Sequence, residues 1–122
     1  MDDLYREQIL DHYKHPHNFG KLKSANASAS DNIVSCGDEL SMELAVKNNT
    51  INDIMFQGQG CAISIASASM LTEFIRGKTV ADLKILTKDD ILAMLGINLT
   101  LTRLKCALLS LEVLHKALRK FV

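Results

Sequence analysis

Residues 40–47 alternate between large apolar side chains and small or polar ones, and this alternation constrains the fold more than any other feature of the sequence. Leu, Met, Leu and Val occupy the even positions, whereas Ser, Glu, Ala and Lys occupy the odd ones. Because successive side chains of a strand point to opposite faces, the pattern predicts a strand with one buried face. Asn48 and Asn49 predict a tight turn into a second strand over residues 51–57, and residues 31–35 are a candidate third strand. The Ser- and Ala-rich residues 24–30 predict a flexible connection.

The remainder of the chain predicts helices. Apolar residues recur at helical spacing, Pro16 ends the first helix, and Gly77 follows the second as a C-terminal cap. Thr79 and Thr87 are candidate N-caps, as is Asp2 for the first helix. Strands followed by helices predict the α+β class, with helices covering one face of a small antiparallel sheet. The predicted helices span residues 3–14, 62–76, 80–83, 88–95 and 101–120.

A stripe of leucines at helical spacing marks the packed face of the last predicted helix. Counting about 100° per residue from Leu104, Cys106 falls near 200° and therefore faces away from this stripe. An alternative is that Cys106, Leu109 and Val113 form a second apolar stripe, in which Cys106 is an ordinary buried cysteine. The members of the leucine stripe are Leu101, Leu104, Leu108, Leu111, Leu114 and Leu118.

Length and charge exclude several classes of protein. A chain of 122 residues predicts a single domain over residues 1–122. The 14 basic and 14 acidic residues give no net charge, which argues against binding to nucleic acid or to an anionic membrane surface. The acidic N-terminus is not typical of a signal peptide, and no window of about 20 residues is apolar enough to span a bilayer. We therefore expect a cytoplasmic protein.

Three cysteines, an odd number, do not form a complete set of disulfides, and they predict either buried thiols or a metal or redox site. Cys36 and Asp38 are two residues apart in a predicted extended segment, so their side chains can converge on one metal ion. Cys61 precedes a predicted helix, where the backbone N–H groups and the helix dipole favour a thiolate. Cys106 has Arg103 close enough on the same helix to hold a thiolate or persulfide by its charge.

Spacing alone leaves open whether these cysteines share a site. The gaps of 24 and 44 intervening residues match no short metal-binding motif such as CxxC. Three histidines also crowd the end of the first predicted helix, and we interpret them as capping and turn residues. These are His12, His15 and His17.

Four blocks of the sequence together resemble the NifU/IscU/SufU family of iron–sulfur cluster assembly proteins. They are residues 4–20 (LYREQILDHYKHPHNFG), 36–38 (CGD), 58–64 (GQGCAIS) and 103–107 (RLKCA). The resemblance covers nearly the whole chain, and the second cysteine block is the most specific. It implies a three-stranded antiparallel sheet packed on helices, with the three cysteines and the aspartate gathered at one exposed end.

The resemblance also implies a function for these residues. Cys36, Asp38, Cys61 and Cys106 would be the ligands of zinc or iron, or of a transient [2Fe–2S] cluster. Cys61 and Cys106 would be the candidate persulfide acceptors, with electrostatic support from Arg103. The family accepts persulfide sulfur from a pyridoxal-phosphate-dependent cysteine desulfurase and passes the assembled cluster to apo-proteins or carriers. This implies a scaffold or sulfur carrier rather than a turnover enzyme.

Several positions depart from the IscU branch of the family. Lys105 stands where that branch has a histidine directly before the third cysteine, so this block looks like the SufU branch, in which the protein is a zinc-dependent sulfurtransferase. The 44-residue gap is nevertheless the shorter IscU-like length, without the SufU insertion. The Leu-Pro-Pro-Val-Lys segment is absent, which argues against recruitment of a dedicated Hsp70-type chaperone. The scaffold is the leading hypothesis, the zinc-dependent sulfurtransferase is the alternative, and a non-catalytic interaction domain is a third class.

Overall fold

The computed structural model describes residues 3–121. Three strands precede four of the five helices, so the predicted α+β class and three-stranded antiparallel sheet are confirmed. The predicted N-cap Asp2 lies outside the described residues. In chain order the elements are α1 (Asp3–Lys14), β1 (Ala27–Ile33), β2 (Asp38–Lys47), β3 (Thr50–Gln59), α2 (Ala62–Ile75), α3 (Val80–Lys84), α4 (Lys88–Leu95) and α5 (Leu101–Leu118).

The alternating segment forms β2, the central strand of a sheet with the order β1-β2-β3. Its large apolar side chains Leu40, Met42 and Leu44 are buried, as period-2 alternation predicts. The turn from β2 to β3 has two residues, Asn48 and Asn49, both at positive φ. This backbone conformation matches the right-handed twist of a hairpin, and asparagine tolerates it better than most residues.

The N-terminal edge of the sheet departs from the prediction. β1 covers residues 27–33, so the Ser- and Ala-rich segment is in large part a strand rather than a flexible connection. Small residues have little strand propensity of their own, but pairing with β2 from Ala27–Leu44 to Ile33–Asp38 supplies the missing stabilisation. As a consequence, Cys36 lies in the turn between β1 and β2 and not in the extended segment that the sequence predicted for it and Asp38.

The helices begin and end close to the predicted residues. The side chains of Thr79 and Thr87 accept hydrogen bonds from the backbone N–H groups of Asp82 and Asp90, which confirms both N-caps. Helices α2 and α5 pack on the sheet and on each other, and α1 packs on α2. Within residues 3–121, no helix combines the length and apolar character required to cross a membrane.

The packed face of α5 differs from the predicted leucine stripe. Leu101 is 84% exposed, whereas Cys106 is 3% exposed and Leu109 and Val113 are buried. Leu111, Leu114 and Leu118 of the leucine stripe are buried as well, so both apolar stripes are packed and the expectation that Cys106 faces away from the packed side is wrong. The reason is that α5 contacts β1, β2 and α2 at once, which buries a wider sector than one line of leucines.

Candidate metal centre

Four chain segments bring the predicted site residues together. Cys36 lies in the β1–β2 turn, Asp38 is the first residue of β2, Cys61 is the N-cap of α2, and Cys106 is in the second turn of α5. The turn is closed by hydrogen bonds from the backbone N–H groups of Cys36 and its neighbour to the Ile33 carbonyl, at 3.3 and 2.9 Å. That neighbour is a glycine at φ +75°, a conformation that strains other residues.

Three of the four candidate metal-ligand residues place their ligand atoms in a compact group. The sulfur atoms of Cys36 and Cys106 and a carboxylate oxygen of Asp38 all lie within 4.8 Å of one another. Cys61 is not part of this group, but it is adjacent, because its backbone N–H donates to Asp38 Oδ1 at 3.1 Å and its thiol interacts with both Asp38 and Cys106. All three cysteines lie within residues 3–121, and none of them is in a disulfide.

The exposure of the four residues is uneven. Cys36 is exposed and Cys61 is half-buried, whereas Asp38 is 2% exposed and Cys106 is 3% exposed. The expected position at an exposed end of the fold therefore holds for Cys36 and Cys61, and the other two side chains form the buried floor of the site. A buried carboxylate is stable only where hydrogen bonds replace its lost water.

Ser64 supplies one of these hydrogen bonds, and the sequence analysis did not single it out. This residue is fully buried on the first turn of α2, and its hydroxyl donates to Asp38 Oδ2. Its oxygen is also 3.7 Å from the Cys61 sulfur and 3.3 Å from the Cys106 carbonyl oxygen. The sequence could have pointed to Ser64 through its spacing, because Ser64 follows Cys61 by three residues at the start of a helix and residues at this spacing share a face.

Gly60 permits the close approach of the N-terminus of α2 to the carboxylate. A Cβ atom at this position would lie 2.7 Å from both Cγ and Oδ1 of Asp38, well inside van der Waals contact. The glycine-rich GQGCA segment is therefore explained here by space rather than by backbone conformation, because Gly60 does not have a positive φ.

The same contacts shift the pKa values of two site residues. Burial raises the pKa of Asp38, but hydrogen bonds from Ser64, Cys106 and Cys61 outweigh it and hold this pKa below its ordinary value of 3.8. Burial, reinforced by the neighbouring Asp38 and Cys61, raises the pKa of the Cys106 thiol to about 12. In the metal-free protein, Asp38 is therefore ionised at neutral pH and Cys106 is protonated.

The predicted electrostatic partner Arg103 lies three residues before Cys106 on α5. Its side chain is exposed, and its backbone N–H donates to the Thr100 hydroxyl at 3.4 Å. Lys105, which directly precedes Cys106, is exposed as well. A role for Arg103 in holding a thiolate or persulfide stays a prediction.

The donor set fits a thiophilic metal. Thiolate and carboxylate ligands are typical of zinc, and thiolates are the usual ligands of iron–sulfur clusters. Binding a cation here would remove the proton from Cys106, since a coordinating thiol is deprotonated outright. The arrangement can therefore hold a metal ion on a buried floor of Asp38 and Cys106 while Cys36 and Cys61 face an open side.

The sequence matches a known protein family and is similar to characterised proteins. Residues 4–122 match the model of the NifU-like N-terminal domain family. The chain is 34% identical to a zinc-dependent sulfurtransferase, SufU, of Bacillus subtilis, over 98% of this chain and 92% of that protein. It is 37% identical to the iron–sulfur cluster assembly scaffold protein IscU of Aquifex aeolicus, over 100% of this chain and 78% of that protein.

The fold also matches a solved structure. The crystal structure of FiSufU from Fervidobacterium islandicum AW-1, a protein assigned as an iron–sulfur cluster assembly scaffold of the SUF system, superimposes with a TM-score of 0.78. The two chains are 28% identical, and the match covers 92% of this chain and 94% of that one.

Proposed function

This chain belongs to the family of NifU-like N-terminal domains, and we propose that it is an iron–sulfur cluster assembly scaffold. The observation that carries the proposal is the convergence of the Cys36 and Cys106 sulfur atoms and an Asp38 carboxylate oxygen within 4.8 Å, with Cys61 beside them. In this proposal the four residues hold iron and sulfide as cargo, which is assembled as a transient [2Fe–2S] cluster and transferred to apo-proteins or carriers.

The sulfur is proposed to come from a pyridoxal-phosphate-dependent cysteine desulfurase. A thiolate of this chain attacks the terminal sulfur of the enzyme's persulfide, a new S–S bond forms on this chain, and the desulfurase cysteine leaves as a thiolate. Electrons from an external reductant, a thiol or an electron-transfer protein, then cleave this S–S bond, release the sulfur as sulfide and return the cysteine as a thiolate. Of the two candidate acceptors, Cys61 is the better placed in the metal-free protein, because it is half-buried at a helix N-terminus. Cys106 is 3% exposed and has a pKa of about 12, so it becomes nucleophilic only after a metal removes its proton.

A second candidate function is a zinc-dependent sulfurtransferase. The relative of this name in Bacillus subtilis aligns with 98% of the chain, and Lys105 replaces the histidine that would otherwise be a further ligand. Here Cys36, Asp38, Cys61 and Cys106 would hold zinc, whose Lewis acidity would keep the thiols ionised. One cysteine then carries sulfur from the desulfurase without assembling a cluster.

The remaining assignments follow from the same proposal. We place the protein in the cytoplasm, as a single domain over residues 1–122, with protein partners and no nucleic acid or membrane. The neutral charge supports protein partners. The missing Leu-Pro-Pro-Val-Lys segment argues against a dedicated Hsp70-type chaperone.

Anaerobic reconstitution tests the scaffold. The metal-free, reduced chain is incubated with ferrous iron, a desulfurase, cysteine as the sulfur source and excess thiol as the reductant, and thiolate-to-iron charge-transfer absorption is followed in the visible region. We expect the band in the wild type and in a Lys105→Ala control, whose substitution is exposed on the same helix. We expect its loss in Cys106→Ser. Equal absorption in wild type and Cys106→Ser would exclude this site as the scaffold.

Desulfurase turnover separates the two candidate functions. Tightly bound zinc in stoichiometric amount, with strong stimulation of the desulfurase that is lost on chelation, supports the sulfurtransferase. Full stimulation by metal-free protein excludes it. Uniformly slow alkylation of all three cysteines, unaffected by a chelator, would instead indicate a non-catalytic interaction domain.

A further inference from the structure

We propose that His12, His17 and Glu73 form a second metal site, for a divalent first-row transition ion such as Zn²⁺, separate from the cysteine cluster. The inference rests on the geometry of these three residues and not on the proposed function of the cysteines. His12 is in the last turn of α1, His17 is in the segment that follows Pro16, and Glu73 is near the C-terminal end of α2.

The donor atoms are close enough to share one ion. One ligand atom from each residue lies within 4.8 Å of the others. Glu73 Oε2 is 2.9 Å from His17 Nδ1, and Glu73 Oε1 is 3.7 Å from His12 Nε2. Zinc–ligand bonds of about 2.0–2.1 Å in tetrahedral geometry place two ligand atoms roughly 3.3 Å apart. The two observed separations, each to a different carboxylate oxygen, lie about 0.4 Å on either side of this value, and the 4.8 Å limit bounds the distance between the two imidazole nitrogens.

A buried serine orients the first of these ligands. His12 is 7% exposed, and its Nδ1 is 2.7 Å from the hydroxyl oxygen of Ser69, which is fully buried on α2. The same oxygen accepts the backbone N–H of His17 at 2.8 Å. Metal-binding histidines typically use their second ring nitrogen in this way, because the hydrogen bond fixes the ring and leaves the other nitrogen for the metal.

The other ring nitrogen of His12 has the environment of a ligand. His12 Nε2 points toward Glu73, but the 3.7 Å separation is too long for a direct hydrogen bond. Because the contact with Ser69 holds Nδ1, Nε2 is the ring nitrogen available to a cation that lies between His12 and Glu73. This arrangement differs from the capping and turn roles predicted for these histidines.

The site is open to solvent, and a cation beside it is already paired. The side chains of His17 and Glu73 are 44% and 48% exposed, so an ion can enter and keep water ligands. Arg76 is close to this group, but its guanidinium pairs with Asp53 at 2.8 Å and donates to Asn18 at 2.7 Å. Two imidazoles and one carboxylate with open positions are a donor set of zinc and of ferrous iron.

Distance along α2 keeps the two sites apart. Glu73 is nine residues after Ser64, the residue of this helix that contacts the cysteine cluster. At 1.5 Å per residue the separation along the helix axis is about 13 Å, so one ion cannot bridge both clusters. Each site therefore has its own stoichiometry and its own spectrum.

Titration of the metal-free, reduced full-length chain with Co²⁺ tests the proposal. Cobalt bound by thiolates gives an intense sulfur-to-metal charge-transfer band, whereas cobalt bound by imidazole and carboxylate gives only weak visible bands. We expect a second equivalent that adds no charge transfer, and whose affinity falls at least tenfold in His17→Asn and in Glu73→Gln. The matched control is His15→Asn, an exposed histidine of the same segment that is outside the group, and it should leave both equivalents unchanged.

The outcomes are distinct for each site. Loss of the charge-transfer phase alone would count against the cysteine centre and leave this site intact. A wild type without a second equivalent, or a second equivalent that His17→Asn retains at full affinity, would overturn the inference. As an independent check, zinc should shift the nitrogen resonances of His12 Nε2 and His17 Nδ1 in the wild type, and unchanged resonances would contradict it. Ser69→Ala should weaken binding about 10- to 100-fold through the loss of the orienting hydrogen bond.

Discussion

The substitution Gly60→Ala tests how the site is built, because it adds one methyl group beside the buried carboxylate. The new Cβ would lie 2.7 Å from Asp38 Cγ and Oδ1, whereas ordinary contacts begin at 3.4 Å. The carboxylate or the N-terminus of α2 must therefore move by about 0.7 Å. Such a shift stretches the 3.1 Å hydrogen bond from the Cys61 N–H to Asp38 Oδ1 beyond hydrogen-bond distance.

The expected cost can be estimated from this geometry. Overpacking of this kind lowers the free energy of unfolding by about 1–3 kcal/mol, and a lost hydrogen bond to a charged group falls in a similar range of about 1.5–3 kcal/mol. Because Asp38 is also a proposed ligand, we expect zinc affinity to fall at least tenfold, which corresponds to about 1.4 kcal/mol. Urea unfolding of the metal-free protein and competition with a chromophoric chelator measure the two effects separately.

Gly77→Ala is the matched control for this experiment. Gly77 has a φ of +86°, and a Cβ there meets nothing within 4 Å. Backbone strain should cost about 1–2 kcal/mol of stability, while zinc affinity stays at the wild-type value because the residue is remote from the cysteines. Wild-type zinc affinity in Gly60→Ala, or an equal loss of affinity in both variants, would refute the role assigned to the Gly60–Asp38 contact.

Three further predictions concern reactivity, pH and packing. Iodoacetamide should alkylate Cys36 first and Cys106 last in the metal-free chain, since Cys106 is 3% exposed and its pKa is about 12; equal rates by peptide mass spectrometry would contradict this. Asp38→Asn should cost about 1.5 kcal/mol or more at pH 7. Because folding lowers the pKa of Asp38, this difference should shrink as the pH falls below 3.8, and a constant difference in urea unfolding would argue against it. Leu109→Ala should cost about 2–5 kcal/mol and Leu101→Ala, at an 84% exposed position, less than about 0.5 kcal/mol, as measured by thermal or urea unfolding.

The strands and helices that carry strong local signals could be predicted from the sequence. The alternation of β2, the two-asparagine turn and the threonine caps of α3 and α4 each follow from interactions between residues close in the chain. β1 could not be assigned in full, because its Ser and Ala residues become a strand through pairing with β2, which is a tertiary effect. The buried face of α5 could be predicted only in part: Leu111, Leu114 and Leu118 are buried as expected, whereas the burial of Cys106 depends on where the sheet and α2 lie.

In the candidate site, too, the sequence motifs predicted some residues, whereas other contacts depend on the tertiary packing. The residue types and motifs pointed to Cys36, Asp38, Cys61 and Cys106, and the structure brings three of their ligand atoms within 4.8 Å. The supporting contact from Ser64 and the His12–Glu73 pairing involve residues 26 and 61 positions apart in sequence, respectively. Neither separation is set by a local pattern, so both required the three-dimensional packing of α2 against its neighbours.

The central claim is that the cysteine cluster assembles iron and sulfide, and the most direct test is to count both on the protein. After anaerobic reconstitution with a desulfurase and removal of unbound ions by gel filtration, iron and acid-labile sulfide are quantified per chain. The account predicts equal amounts of iron and sulfide in the wild type, both lost in Cys106→Ser, and both passed to an added apo-ferredoxin. Tightly bound zinc with no sulfide, under conditions where the desulfurase is active, would contradict it.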